Sequence, residues 1–97
     1  MLDQIKKLME VKKQAEEIKR ELDKAEVEVS EVRGIRIVIN GSQDFQSIEL
    51  DGDFLKTNDK NRIQSELLRS LNLAIKRSQN LAAQKMKAVT GLNIPGL

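Results

Sequence analysis

The sequence contains no cysteine, histidine, tryptophan or tyrosine, a single proline (Pro95), and two aromatic residues, Phe45 and Phe54. Each absence excludes a chemistry. Without thiols or imidazoles there is no thiolate nucleophile, no imidazole base and no ordinary ligand set for zinc or haem. Without cysteine there are no disulfides, and an oxidising compartment is not implied. The scarcity of aromatics argues against stacking platforms for single strands and against aromatic RNA readers. No apolar run approaches the roughly 20 residues of a membrane span, and the N-terminus has no signal-peptide apolar segment. A cytosolic non-enzyme is expected, with no cofactor, no metal, no membrane association and no small-molecule substrate.

What is present is charge. Of 97 residues, 33% are charged and 39% hydrophobic, enough for one domain with a modest core. Seventeen basic and fifteen acidic side chains give a formal charge of +2, which hides a strong polarisation along the chain. Residues 1–24 are net +1, residues 25–58 net −4, and residues 59–97 net +5.

The first segment has a helical period. Leu8, Val11, Ala15, Ile18, Leu22 and Ala25 recur at alternating steps of three and four, the seam of a helix that packs on another helix. From Ala25 the period changes to two. Ala25, Val27 and Val29 alternate with Glu26, Glu28 and Ser30 as a half-buried strand. Gly34 marks a turn, and Ile35, Ile37 and Ile39 form a second, more hydrophobic strand. Asn40-Gly41 is a hairpin signal, because both residue types tolerate the positive φ of a type I′ turn. A third strand covers Phe45–Leu50, so the three form an antiparallel meander. Asp51-Gly52-Asp53 ends the sheet, and Thr57, Asn58 and Asp59 offer helix-capping side chains. From there to Val89 no Gly or Pro intervenes, which predicts a helix of about 31 residues. Gly91 suits the position just past its end.

The expected fold class is therefore α+β, in the order αβββα. Residues 1–91 are expected to form a single domain and residues 92–97 a short flexible tail. At roughly 1.5 Å per residue the two helices reach about 33 Å and 46 Å. A six-residue strand covers only about 20 Å. The sheet cannot shelter both apolar helix faces, so the excess packs helix on helix or against a second copy. A homodimer is the simpler answer.

On a wheel at about 100° per residue, Arg62, Arg69, Lys76 and Lys87 of the last helix fall within roughly 40° of one another, with Arg77 about 60° to one side. Leu67, Leu68, Leu71, Ala74, Ile75, Ala82, Met86 and Val89 are placed on the opposite face, with Leu81 on its flank. Leu73 falls in the basic stripe, and Lys60 and Lys85 on the apolar side. Any amphipathic helix needs a polar outer face, but solubility alone interleaves signs for pairing at i,i+4. A face of one sign has the chemistry to neutralise phosphates, which brings affinity and salt dependence with little sequence information. Asn72, Gln79, Asn80 and Gln84 have the chemistry for base contacts. In the first helix Lys6, Lys13, Arg20 and Lys24 also align. Glu10, Glu17 and Glu21 share that surface, however, and Lys6–Glu10, Lys13–Glu17 and Glu16–Arg20 are spaced for intrahelical pairs.

Other clusters carry less. Asp44, Glu49, Asp51 and Asp53 gather at the end of the sheet without the spacing or closing Glu of an EF-hand, and turn chemistry accounts for them. Met1, Met9 and Met86 are an initiator and core fillers. No feature turns a carboxylate pair into an acid/base couple in a pocket.

The ordered set of a charged N-terminal helix, Ile37-Val38-Ile39-Asn40-Gly41, Ile48-Glu49-Leu50-Asp51, a long helix with Lys85-Met86, then Thr90-Gly91 and Pro95-Gly96 resembles the YbaB/EbfC family of small bacterial nucleoid-associated proteins. The resemblance covers essentially the whole chain. It implies a tweezer-shaped homodimer with a sheet-based core and protruding helices that bind double-stranded DNA with low sequence specificity. It also implies a place in the cytoplasm, on the nucleoid, and a role in nucleoid organisation or gene regulation. The positions carried over are the exposed basic residues Arg62, Arg69, Lys76, Arg77 and Lys87, with Lys6, Lys13 and Arg20. Two other readings stand beside it: a helical module that docks onto a protein, its basic stripe merely solvated, and an RNA-binding accessory protein.

Overall fold

The structure, a computed structural model, describes residues 1–90 of the chain. Helix α1 spans Leu2–Lys24, strands β1, β2 and β3 span Glu26–Val29, Ile35–Asn40 and Phe45–Leu50, and helices α2 and α3 span Gly52–Thr57 and Lys60–Thr90. The αβββα order expected from the sequence is the order observed, with α2 added between sheet and long helix. Gly91 and residues 92–97 lie outside the described residues.

The strands form one antiparallel sheet in the order β1-β2-β3. Val27 pairs with Ile39, Val29 with Ile37, Ile35 with Leu50 and Ile37 with Ile48, so one face is aliphatic across all three strands. Val29, Ile35, Ile37 and Ile39 are buried there. The other face carries Arg36, which bonds to Glu28 of β1 and, at 3.2 Å, to Glu49 of β3. These two carboxylates raise the guanidinium pKa further above its usual value, Glu28 having the larger effect.

Helix α3 lies over β1 and β2. Its sheet-facing side overlaps the face expected from the wheel, with Ala74 buried and Leu67, Leu71 and Ile75 packed against the core, but is rotated toward two serines. The buried line runs through Ser70, Ala74 and Ser78, with Ile63 and Leu67 alongside, whereas Leu68 is 61% exposed. Small side chains let the helix backbone approach the branched Ile and Val surface of the sheet. A hydrophobicity wheel scores serine as polar and so rotates the expected face away from them. Leu73, expected within the basic stripe, is half-buried against the core.

The β2–β3 hairpin forms where Asn40-Gly41 placed it, with a different turn. Asn40 and Gly41 do not have positive φ; the left-handed residue is Gln43, at φ 66°. The buried Asn40 side chain organises the loop instead, its Oδ1 accepting from the amides of Ser42 (3.0 Å) and Asp44 (2.9 Å). Gly41 serves a close approach. Its amide donates to the carbonyls of Leu22 and Ala25, both at 2.9 Å, and an added Cβ meets the Leu22 carbonyl oxygen at 3.0 Å. The C-terminus of α1 is thereby seated on the hairpin, and Asp23 beside it accepts from the Ser42 hydroxyl.

Gly34, at φ 99°, turns the chain between β1 and β2. The short helix α2 packs Phe54 directly against it. Thr57 Oγ1 donates to the Asp53 carbonyl (2.7 Å) and Asn58 Nδ2 to that of Phe54 (2.9 Å), so both side chains close back onto α2. Of the three residues expected to cap α3, Asp59 alone does so, accepting from the Arg62 amide at 2.8 Å.

Candidate nucleic-acid interface

The principal extents are 66 × 23 × 17 Å, so the helices project well past the sheet. The C-terminal part of α3 packs against the last turns of α1, with Lys85 reaching Glu21 at 3.9 Å. No residue of α1 is buried.

Arg62, Arg69, Lys76 and Lys87 are all exposed on α3. By helical geometry they lie about 140° from the Ser70–Ala74–Ser78 line, facing away from sheet and core. From Arg62 to Lys87 the stripe runs about 38 Å along the axis, at 1.5 Å per residue. Arg69 has Glu66 at 3.8 Å, a loose i,i+3 contact. Arg62, Lys76 and Lys87 have no carboxylate at ion-pair distance among the described residues. Asn72, Gln79, Asn80 and Gln84 are exposed on the same helix.

Arg77 stands apart. Its Nη2 donates to Glu31 Oε1 at 2.6 Å, tying α3 to the loop between β1 and β2, and the side chain is only 38% exposed. The sequence does not reveal this partnership, because the two residues are 46 positions apart.

On α1, Lys6, Lys13 and Arg20 are exposed. The intrahelical pairs expected for them do not close among the described residues; the i,i+4 pair that forms is Lys19–Asp23, at 3.3 Å. Ile18, Glu21 and Leu22 are the partly covered positions of α1, and Lys6, Lys13 and Arg20 lie about 120–180° around the helix from Ile18 and Leu22. The structure therefore does not bring the α1 cations beside the α3 stripe; they look outward from the far side of the helix pair.

The acidic residues of the sheet occupy other ground, with Glu26, Glu28 and Glu49 exposed on the strands and Arg36 committed to two of them. Among the described residues no group of three or more acidic side chains is arranged to hold a metal ion. No helix there is long and apolar enough to cross a membrane.

Against this geometry, the family model described as the YbaB/EbfC DNA-binding family matches residues 1–93. The chain belongs to that family. Among relatives, it is 30% identical to a nucleoid-associated protein of Thermoanaerobacter pseudethanolicus over 95 residues, covering 96% of this chain and 86% of the relative. It is 36% identical to one of Syntrophobacter fumaroxidans over 64 residues, which is 65% of this chain and only 58% of that relative. A nucleoid-associated protein of Clostridium kluyveri is 30% identical, with 96% and 83% covered. The crystal structure of an uncharacterized protein from Helicobacter pylori superposes with a TM-score of 0.66 at 21% identity, covering 88% of this chain and 98% of that one. That likeness shows a shared fold. The YbaB/EbfC DNA-binding family is a bacterial, nucleoid-associated one, and the α+β fold of this member is the one its sequence order implies.

Proposed function

We propose that this YbaB/EbfC member is a homodimer that binds double-stranded DNA on the nucleoid, in the cytoplasm, with low sequence specificity, residues 1–91 acting as one domain. The observation that carries the DNA reading is the exposed, one-signed stripe Arg62, Arg69, Lys76 and Lys87 on a projecting helix. Cations on such a face neutralise phosphates and release counterions, whatever the base sequence. The outward cations of α1, Lys6, Lys13 and Arg20, supply a second and separate contact surface. Arg77 is held by Glu31 and contributes to the positive field more than to direct contact.

The dimer reading rests on apolar surface that α3 leaves open. Phe45 and Ile48 share the inner face of the sheet with Ile39 and Ile37, yet Ile48 is 47% exposed because α3 lies over β1 and β2. Leu55 of α2 and Leu68 of α3 are exposed as well. β3 is also an edge strand with one free side, and proteins cover such edges rather than leave them open. A second copy covers strand and leucines together.

The test is an anisotropy titration on duplex DNA at several salt concentrations. Binding that weakens steeply with salt, and weakens about tenfold or more in Arg69→Glu with Lys76→Glu, supports the proposal. Undetectable binding at low salt overturns it and points instead to a protein-docking helix; a charge reversal without effect overturns the assignment of binding to the α3 stripe.

A further inference from the structure

The free cations of α1 and α3 occupy opposite sides of one helix pair. Lys85 of α3 has Glu21 of α1 at 3.9 Å, so the two helices are in contact at this level. Arg62, Arg69, Lys76 and Lys87 lie about 140–180° around α3 from Lys85. Lys6, Lys13 and Arg20 lie about 120–180° around α1 from Ile18 and Leu22, the apolar positions that packing covers. Each set therefore looks away from the neighbouring helix. Arg20 is next to Glu21 in the chain and Lys87 is two residues past Lys85, so the two sets stand back to back there. Packed helices run about 8–10 Å apart and each is about 10–12 Å across, which puts the two cation faces about 20 Å apart. At this level the cations between the faces are engaged, Lys19 with Asp23 at 3.3 Å and Lys85 with Glu21.

We infer that the protein bridges two duplexes, the α3 stripe holding one and Lys6, Lys13 and Arg20 of α1 the other. This rests on the DNA reading above and adds a second duplex to it. Stiffness carries the inference. Duplex DNA is stiff over about 150 base pairs, so one duplex does not turn round a body about 20 Å thick to meet both faces. Two duplexes meet them without bending. Lys6, Lys13 and Arg20 have no carboxylate at ion-pair distance among the described residues, so their charges are available to phosphates. Glu10 and Glu17 line one margin of the α1 face, which makes it the weaker of the two. The α3 stripe, with Glu66 as its near carboxylate, takes the first duplex and α1 the second. The apolar surface assigned to a second copy, around Ile48 and Leu68, contains no residue of either face, so a homodimer carries both faces twice.

The test is capture of a fluorescent duplex, at low salt, by a second duplex immobilised on beads, with the full chain as the link. The parent is compared with Lys6→Ala, Lys13→Ala and Arg20→Ala combined, and with the same three positions changed to Gln. All three side chains are exposed, and circular dichroism checks that each variant keeps its helices. The parent is expected to capture the second duplex. The variants are expected to capture about tenfold less, while their affinity for a single free duplex in anisotropy falls less than about threefold. Capture equal to the parent's overturns the inference, because the second duplex is then held by the α3 stripe of another copy. A parallel loss of capture and of single-duplex affinity overturns it as well, since one duplex then meets both faces. A parent that binds one duplex and captures no other overturns the bridge and leaves the DNA reading standing. A parent that binds no duplex removes both.

Discussion

The Ser78 hydroxyl of α3 donates to the backbone carbonyl of Asn40 at 2.7 Å, with both residues buried. This bond fixes the long helix to the same residue whose side chain organises the β2–β3 loop. Asn40 Nδ2 also faces the Asp23 carbonyl at the end of α1, at 3.5 Å. One residue thus ties together sheet, hairpin and both projecting helices. Replacing Ser78 by Ala leaves the Asn40 carbonyl with only the Gln43 amide, at 3.1 Å. The expected cost is about 1 kcal/mol in urea denaturation. Ser78→Leu is expected to cost about 1–3 kcal/mol or more, because the line against the sheet has no room.

Gly34 has two independent reasons to be glycine. Its φ of 99° disfavours any L side chain, and an added Cβ lies 2.5 Å from Phe54 Cβ. Gly34→Ala is expected to destabilise the chain by roughly 1–3 kcal/mol. The contact with Phe54 must shift, so protease sensitivity should rise first around α2. An unchanged unfolding midpoint contradicts this account.

Arg77 and Lys76 are neighbours with different roles. Arg77→Ala removes the bond to Glu31 and is expected to cost about 0.2–1 kcal/mol of stability, the range for a partly exposed ion pair. Its effect on DNA affinity should be smaller than that of Lys76→Ala. Thermal melts and anisotropy on the two variants separate the roles, and the reverse ranking on DNA refutes the assignment.

Ile48→Lys and Leu68→Glu place charges in the apolar surface assigned to the dimer. Each is expected to shift the sedimentation mass from dimer to monomer at micromolar concentration while the circular dichroism spectrum is retained. A parent chain that already sediments as a monomer removes the dimer.

Asp23 accepts from the Ser42 hydroxyl and from Lys19, and these bonds, Ser42 first, hold its carboxyl below the usual value of 3.8. A depressed folded-state pKa means that the contribution is fully present above the unfolded value and is lost as pH falls through the folded one. Melting temperature should therefore fall below about pH 4 more steeply in the parent than in Asp23→Asn. Parallel curves show that the hairpin-to-α1 contact does not titrate.

Much of this architecture follows from local pattern. Ile35, Ile37 and Ile39 alternate with polar neighbours and become β2, and the uninterrupted run after Asp59 becomes α3, because period and breakers act within a few residues. The cations at positions 62, 69, 76 and 87 share a face for the same reason, since any helix through them aligns them. Non-local packing decided the rest. Helix α2 is too short to be stable from propensity alone, and it exists because Phe54 closes the end of the core. The buried line of α3 runs through Ser70 and Ser78, because close approach to a branched sheet favours small residues over greasy ones. Arg77 became a structural tie because folding brought Glu31 beside it. The α1 cations stayed apart from the α3 stripe because the seam of Ile18 and Leu22, and not the charges, determines which way α1 turns. Sequence alone determined which helix carries the positive charge; only the tertiary structure decided which of those charges remain free to meet a partner, because burial and long-range pairing depend on residues far apart in the chain.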